Sequence, residues 1–316
     1  MATVLDPASV LLPGHDVPLG RYTTVRRLLP QRSLRMVGAW CFVDHFGPDD
    51  VAGRPGMSIA PHPHTGLQTV TWLVEGEVVH RDSLGSLARI TPGAMNLMSA
   101  GRGIAHSEES PREHPPVIHG LQLWVALPEA ARHGEPRFDH HPDLPVLVGD
   151  GVRTTVVAGE LGTACSPALV HTPLVGAEIL LEAGAGTRMP LERDFEYSVL
   201  AMNGTARVAD ATLSPGVLLY LGRGRTHLDL HSEPDLRSEG GARLFLLGGE
   251  PFDEPLVMWW NFVARTHEEI VQAREDWQAN RRFGEVHGFA GGRLLAPEMP
   301  TTRIKARYRD GRTISG

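Results

Sequence analysis

The sequence predicts an all-β protein built from two antiparallel β-barrels, with a single helix near the C-terminus. Apolar runs of four to eight residues, bounded by glycine, proline or aspartate, recur along the 316-residue chain and are typical of strands. The 35 glycines and 25 prolines are scattered between these runs, which indicates many turns. The two halves of the chain also share a sequence pattern, which indicates that the barrel occurs twice.

The first half is predicted to be a meander of hairpins between residues 25 and 127. Residues 67–74 (LQTVTWLV) have the composition of a strand, residues 75–77 (EGE) that of a tight turn, and residues 78–80 that of the next strand. Residues 133–145 contain three prolines and little apolar material, so we predict a linker there. We therefore expect an N-terminal domain at 1–132 and a C-terminal domain at 146–316.

The second half is predicted to be a further β-rich block that ends in the helix. Asn203-Gly204 predicts a hairpin turn of type I′, in which both central residues have positive φ. Thr266 and Glu269 have the spacing of a capping box, which predicts a helix over 267–280. Three apolar residues then fall on one face of that helix: Ile270, Ala273 and Trp277.

Two pairs of metal-ligating residue types stand out in the first half. His62 and His64 are spaced i, i+2, as are His106 and Glu108, and on strands this spacing directs both side chains of a pair to the same face. Three imidazoles and one carboxylate suit a divalent first-row metal, and iron, manganese, nickel, copper and zinc are all chemically possible. Four protein ligands leave coordination positions open for a reacting molecule.

The alternative for these histidines is structural. His62 and His64 would then be loop residues beside prolines, and His106 a hydrogen-bonded core residue. Two matching i, i+2 pairs favour a metal site over this alternative. The remaining histidines lack such a partner pair, and we expect His80 to be a hydrogen-bonded turn residue, His140 and His141 to lie in the linker, and His227 to be structural.

A repeated pattern, G-R-G-x-x-H-x-acid, links the two halves of the chain. It occurs at residues 101–108 and again at 222–229. Aligning the hairpin glycines of the two halves places Pro190 and Glu192 opposite the paired histidines of the first half. The sequence thus predicts two equivalent barrels, of which only the first can bind a metal.

Composition and charge exclude several function classes. The net charge of −7 disfavours direct nucleic-acid or membrane-surface binding. Cys41 and Cys165 provide neither a disulfide framework nor a zinc ribbon, which fits a cytoplasmic protein. No signal peptide or long apolar window is recognisable. Residues 293–316 carry six basic and two acidic residues, and we expect a solvated arm packed on its own barrel, with nucleic-acid binding as the alternative.

The residues around the two pairs resemble the pirin family, a bicupin group of the cupin superfamily. Gly56, five further residues and His62-x-His64 resemble the first cupin motif, and residues 61–109 resemble the pirin signature. Three further segments match pirin-like patterns: residues 44–48 (DHFGP), 119–128 (HGLQLWVALP) and 260–265 (WNFVAR).

The resemblance implies two stacked cupin barrels with one mononuclear Fe(II) in the N-terminal barrel. The implied ligands are His62, His64, His106 and Glu108. A glutamate usually follows the paired histidines of cupins, but Gln68 stands there, as is usual in pirins, so the carboxylate comes from Glu108. Family members include proteins with quercetin 2,3-dioxygenase activity and a eukaryotic nuclear transcription coregulator whose iron acts as a redox switch.

The leading functional hypothesis is a metal-dependent dioxygenase that opens a flavonol or similar enolic aromatic with O2. The substrate hydroxyl would bind the metal as its anion, with Glu108 as the proton acceptor. Four apolar residues are expected either to line the pocket or to form the barrel core: Trp72, Met95, Leu97 and Met98. The alternative hypothesis is a non-enzymatic regulator whose iron tunes a protein-binding surface, and a third is a structural bicupin without activity, which fits the second barrel.

Overall fold

The computed structural model describes residues 9–20, 22–233 and 241–313, and these residues form an all-β protein with one helix. The strands up to residue 142 are β1 (Val10–Pro13), β2 (His15–Leu19), β3 (Thr23–Leu29), β4 (Trp40–Asp50), β5 (Ser58–His64), β6 (Leu67–Glu75), β7 (Val78–Asp82), β8 (Leu87–Ile90), β9 (Met95–Ser99), β10 (Ile104–Glu109), β11 (Val117–Ala126) and β12 (Arg137–His141).

The second half contains thirteen further strands and the helix. They are β13 (Val146–Gly149), β14 (Val152–Leu161), β15 (Ala164–Cys165), β16 (Leu174–Leu181), β17 (Gly186–Pro190), β18 (Glu196–Asn203), β19 (Ala206–Val208), β20 (Ala211–Leu213), β21 (Val217–Arg223), β22 (His227–Ser232), β23 (Ala242–Gly249), β24 (Val257–Trp259), β25 (Phe262–Ala264) and α1 (His267–Gln278). Within the described residues, no helix is long and apolar enough to cross a membrane.

The chain divides into two compact units whose limits differ from the domain boundaries expected at 132 and 146. The first-repeat unit comprises the described part of Asp16–Met36, Cys41–Pro142 and the described chain from Asp253 onward. The second-repeat unit comprises the described part of Met1–His15, Val37–Trp40 and the described part of Asp143–Phe252. The junction at residue 142 lies inside the expected linker, but that segment also contributes β12, which pairs with β9.

Helix α1 lies within the first-repeat unit. The physical reason is its apolar face: Ile270, Ala273 and Trp277 are buried in a cluster that includes Ala105 of β10 and Phe262 of β25. Residues of the basic C-terminal segment, such as Ala296, pack into the same cluster. The basic C-terminal segment, which was predicted to pack on its own barrel, therefore packs on the first-repeat unit.

The apolar core of each unit lies between two antiparallel sheets rather than inside one closed barrel, and the first-repeat unit also contains the two-stranded sheet β24-β25. The first-repeat unit has a seven-stranded sheet in the order β12-β9-β6-β11-β4-β3-β2 and a four-stranded sheet in the order β5-β10-β7-β8. The second-repeat unit has an eight-stranded sheet in the order β1-β21-β18-β23-β16-β14-β13, with β15 beside β14, and a four-stranded sheet in the order β17-β22-β19-β20. Aliphatic side chains from both sheets of each unit meet in its core.

The strand order and register support the internal duplication. His106 of β10 lies opposite His62 of β5, and at the corresponding position His227 of β22 lies opposite Pro190 of β17. The glycines of the repeated pattern have positive φ in both copies, at Gly101 and Gly103 and again at Gly222 and Gly224. Both halves therefore use the same turn chemistry to enter equivalent strands.

Two predicted turns are present, but one has a different backbone conformation. Gly76 joins β6 to β7 with φ +92°. At Asn203-Gly204 only the glycine has positive φ, so the turn is not the predicted type I′. The reason is that Asn203 still belongs to β18, where it pairs with Arg243, while its side-chain oxygen accepts a hydrogen bond from the Gly204 N–H at 2.8 Å.

Candidate metal centre

The three predicted histidine ligands converge in the first-repeat unit. His62 and His64 lie at the end of β5, and His106 lies on the neighbouring strand β10. All three are buried, and one nitrogen atom of each lies within 4.8 Å of the others. The Nε2 atoms of His64 and His106 are only 3.1 Å apart. The i, i+2 spacing on β5 and the pairing of β5 with β10 produce this cluster.

Backbone carbonyls fix the orientation of two of these rings. His62 Nδ1 donates to the Ala60 carbonyl at 2.9 Å, and His64 Nδ1 donates to the Asn261 carbonyl at 3.0 Å. Because a carbonyl can only accept, each ring carries its proton on Nδ1 and leaves Nε2 with a free lone pair. Asn261 follows Trp260, which has φ +51°, an uncommon conformation for a bulky residue. The tight β24–β25 turn thus brings the carbonyl to His64.

Burial keeps the three rings neutral. It lowers the pKa of His62 to about 4 and holds the pKa values of His64 and His106 well below 6.5, and repulsion from neighbouring imidazoles adds to the effect. Metal ligation requires neutral imidazole, so the rings are ready to bind at neutral pH without losing a proton. Three lone-pair donors this close together suit a divalent cation.

Glu108 lies beside this cluster, but not at an equal distance from its members. A carboxylate oxygen of Glu108 lies within 4.8 Å of a ring nitrogen of His106 and of His80, and no such grouping includes His62 and His64 with it. The Thr71 hydroxyl donates to Glu108 Oε1 at 2.9 Å and also lies 3.0 Å from the Gln122 side-chain oxygen. Burial raises the pKa of the Glu108 carboxyl above its usual value.

The four predicted ligands line a cavity of about 410 Å³. Its walls combine aromatic and polar side chains, among them Arg27, Phe42, Gln122, Trp124, Trp260 and Leu294. Phe42 stacks on Trp124 with ring centroids 4.0 Å apart, and the Arg27 guanidinium lies over the Phe42 ring. A wider cleft of about 1180 Å³ elsewhere in the same unit contains none of the four ligands.

The apolar residues considered for the pocket do not line it. Trp72, Met95, Leu97 and Met98 are fully buried, and none of them is among the residues that line this cavity. Gln68 is also buried, and its amide donates to the Ser99 hydroxyl at 2.7 Å. The wall is built instead from residues distant in sequence, which periodicity within one strand could not identify.

His80 is a residue beside the candidate site that the sequence interpretation missed. It was expected to be a turn residue, but it lies within β7, is 2% exposed, and its Nδ1 is 3.4 Å from His106 Nδ1. The signal was available, since His80 and Asp82 have the same i, i+2 spacing as the predicted ligand pairs. His140 lies on β12, where its ring contacts the Asn96 side chain at 2.7 Å. His227 is exposed and contacts Arg188, as expected for a histidine outside the site.

Comparisons with known proteins give matches over most of the chain. The family model "Pirin" matches residues 22–125, and the model "Pirin C-terminal cupin domain" matches residues 176–284. A Pseudomonas aeruginosa protein named "putative quercetin 2,3-dioxygenase" is 44% identical over 89% of this chain and 88% of its own. A pirin-like protein of Caulobacter vibrioides is 38% identical over 81% of this chain and 88% of its own.

A solved structure has the same fold. The crystal structure of a quercetin 2,3-dioxygenase from Acinetobacter baumannii is 42% identical and superposes with a TM-score of 0.89, covering 94% of this chain and 97% of that one. Both family models, the extent of these matches and the shared two-cupin fold lead to one conclusion. The chain belongs to the pirin family of cupin proteins.

Proposed function

We propose that this protein is a metal-dependent dioxygenase of the quercetin 2,3-dioxygenase type, which opens a flavonol or a similar enolic aromatic with O2. The observation that carries the proposal is the convergence of three neutral imidazoles and a carboxylate on one cavity. Two of the similar proteins carry that enzyme's name. The cavity volume of about 410 Å³ lies in the range of small-molecule sites.

The proposed ligands are His62, His64, His106 and Glu108, and the proposed ion is Fe(II). Manganese, nickel, copper and zinc are alternatives with the same donor set. A bound ion of this kind supplies Lewis acidity and, for iron, access to O2 chemistry. The fit rests on the chemistry of the donors, because the lone pairs of His62 and His64 are fixed by carbonyl partners and burial keeps the rings neutral.

The cavity walls determine which molecules enter. The stacked Phe42 and Trp124 rings provide an apolar face against which a planar aromatic can pack. Gln122 provides an amide that can hydrogen-bond a hydroxyl or carbonyl group of the substrate. The Arg27 guanidinium is paired with Asp44 through contacts of 2.9 and 2.8 Å, so the wall there presents an ion pair rather than a lone positive charge.

Glu108 is the proposed proton acceptor. Its carboxylate lies on the cavity wall, where it can take the proton of an enolic hydroxyl as the substrate binds. The Thr71 hydroxyl, which donates to Oε1, holds the carboxylate in its orientation. We also propose a cytoplasmic location, which the two free thiols of Cys41 and Cys165 favour.

Elemental analysis of anaerobically purified protein, followed by oxygen uptake with quercetin, tests the proposal. We expect one metal ion per chain and oxygen consumption that depends on both metal and flavonol. Metal bound in the second repeat, or iron-loaded protein that consumes no oxygen with any enolic aromatic, would contradict it. In the latter case the non-enzymatic regulator, with a protein partner, becomes the leading hypothesis.

A further inference from the structure

Two residues on strand β7 continue the hydrogen-bond chain that starts at His106. His80 and Asp82 lie next to β10, with Glu108 opposite His80 and His106 opposite Asp82 in the register. Both residues are 2% exposed. His80 Nε2 is 3.1 Å from Asp82 Oδ2, and His80 Nδ1 is 3.4 Å from His106 Nδ1. Asp82, His80 and His106 are therefore joined by consecutive side-chain contacts that end at the candidate metal centre.

Asp82 is fixed as an ionised acceptor at the outer end of these contacts. Its Oδ1 accepts hydrogen bonds from the backbone N–H groups of Leu84 at 2.9 Å and Ser86 at 3.0 Å. A carboxylate can only accept, so the proton between Asp82 and His80 resides on His80 Nε2.

This proton assignment determines the tautomer of His106. With the Asp82 contact occupying Nε2–H, the His80 ring presents Nδ1 as an acceptor, and the facing His106 Nδ1 is then the donor. His106 Nε2 is left unprotonated, pointing at His64 Nε2 only 3.1 Å away. Two lone pairs facing each other at that distance repel unless a cation lies near both. His62 and His64 obtain the same tautomer from the carbonyls of Ala60 and Asn261.

We propose that Asp82 and His80 form a relay that positions His106 for metal binding, with His80 acting as the positioning residue and not as a ligand. The Phe138 ring supports this role by stacking on His80, with centroids 4.2 Å apart and planes 15° apart. For His106, the His80 ring takes the place of the backbone carbonyl that accepts from Nδ1 of His62 and of His64. This inference rests on the metal site of the proposed function.

The test compares two replacements at position 80, with cobalt(II) as the probe ion and a competing chelator to measure affinity. His80→Leu removes the acceptor for His106 Nδ1, and we expect a 10- to 100-fold loss of cobalt affinity, about the usual effect of removing such a partner. His80→Asn retains a carbonyl oxygen as acceptor, and we expect affinity within a few-fold of wild type. His45→Leu is the matched control, because His45 is also a buried histidine paired with an imidazole, that of His119 at 2.8 Å, but does not line the cavity.

A second measurement needs no variant. Nitrogen-15 NMR of the metal-free wild type reports which ring nitrogen of His106 carries the proton, and we expect it on Nδ1. A proton on Nε2 would overturn the relay, as would a His80→Leu variant that folds and binds cobalt as tightly as wild type. A changed cobalt absorption spectrum in His80→Asn would indicate that His80 is itself a ligand, and this result would also overturn the relay. A wild type that binds no cobalt at all would contradict both the proposed metal site and the relay.

Discussion

Glu108 has two roles in the proposed mechanism, as a metal ligand and as a general base. It is 3% exposed, which raises its pKa, and it accepts a hydrogen bond from Thr71, which favours its charged form. A ligand must be ionised to bind the metal, whereas a general base must accept a proton during the reaction. The proposed mechanism requires both properties, and one substitution can separate them.

Replacing Glu108 by Gln should reduce the rate far more than the metal content. Glutamine keeps a carbonyl oxygen that can ligate weakly and accept from Thr71, but it cannot take up the substrate proton. We expect a loss of about two to four orders of magnitude in flavonol-dependent oxygen uptake. Metal analysis of the same sample measures occupancy. A variant that holds its metal and turns over at the wild-type rate would show that Glu108 is not the base.

Replacing His64 by Ala should instead empty the site. One of four ligands is lost, together with the ring that the Asn261 carbonyl orients. The second repeat offers a matched control in His227→Ala, because His227 occupies the position equivalent to His106 but is exposed. Metal content after dialysis against a weak chelator is the measurement. Equal metal loss in both variants would contradict the assignment of the site to the first repeat.

His45 should make the stability of the fold depend on pH. In the unfolded chain its imidazole takes up a proton near pH 6.5, whereas burial, together with the nearby Arg26 charge, lowers its pKa in the fold to about 4. Between these pH values the unfolded state binds more protons, so stability falls as the pH falls. The shift corresponds to a loss on the order of 3 kcal/mol. Urea unfolding at pH 7 and pH 4.5 should show a smaller loss in His45→Asn than in wild type, and equal losses would refute this role.

At the residue scale, the sequence predicted that His62 and His64 lie together, but it did not predict which residues orient the histidine rings of the cluster. Strand geometry alone directs His62 and His64 to one face, and the cluster forms as expected. The partners that fix the rings come from other parts of the chain: Asn261 from the β24–β25 turn and His80 from β7. No pattern within a strand encodes which distant carbonyl reaches a given ring nitrogen, so these partners required the structure.

At the element scale, helix α1 shows what a local pattern determines. The capping residue and the buried face were predicted, and Thr266 does accept from the Glu269 N–H at 3.2 Å. The Glu269 carboxylate reaches back to the Arg265 N–H at 2.9 Å, one residue before the cap. The partner of the helix could not be predicted, because an apolar stripe indicates that a face is buried but not against which unit.

The Thr266 cap should contribute measurably to the stability of the first-repeat unit. Removing its hydroxyl leaves the Glu269 N–H without this acceptor at the helix start. We expect Thr266→Ala to lower the free energy of unfolding by about 1 kcal/mol, and Thr266→Ser to restore most of it, since serine caps equally well. Chemical unfolding followed by tryptophan fluorescence, which reports on buried Trp277, measures the difference. Identical midpoints for the alanine and serine variants would show that the cap is dispensable.

At the scale of the whole molecule, the duplication explains why one fold carries a single site. Both four-stranded sheets have the same order, so the second repeat retains the scaffold, while Pro190 stands where His62 does in the first. The sequence revealed this equivalence through the G-R-G-x-x-H-x-acid pattern. It did not reveal that the chain after Asp253 returns to the first-repeat unit, because that return depends on packing and not on periodicity.

Metal binding should therefore protect helix α1 together with the strands that hold the ligands. A ligand present at 100 times its dissociation constant stabilises the state that binds it by about 2.7 kcal/mol. Hydrogen exchange with and without cobalt(II) should show slower exchange in peptides from β5, β10 and α1, which belong to one compact unit. Peptides from β17 and β22 of the other unit serve as the internal control. If α1 exchanged like β17 and β22, unaffected by the ion, the helix would belong with the second repeat, as the sequence boundaries at 132 and 146 had placed it.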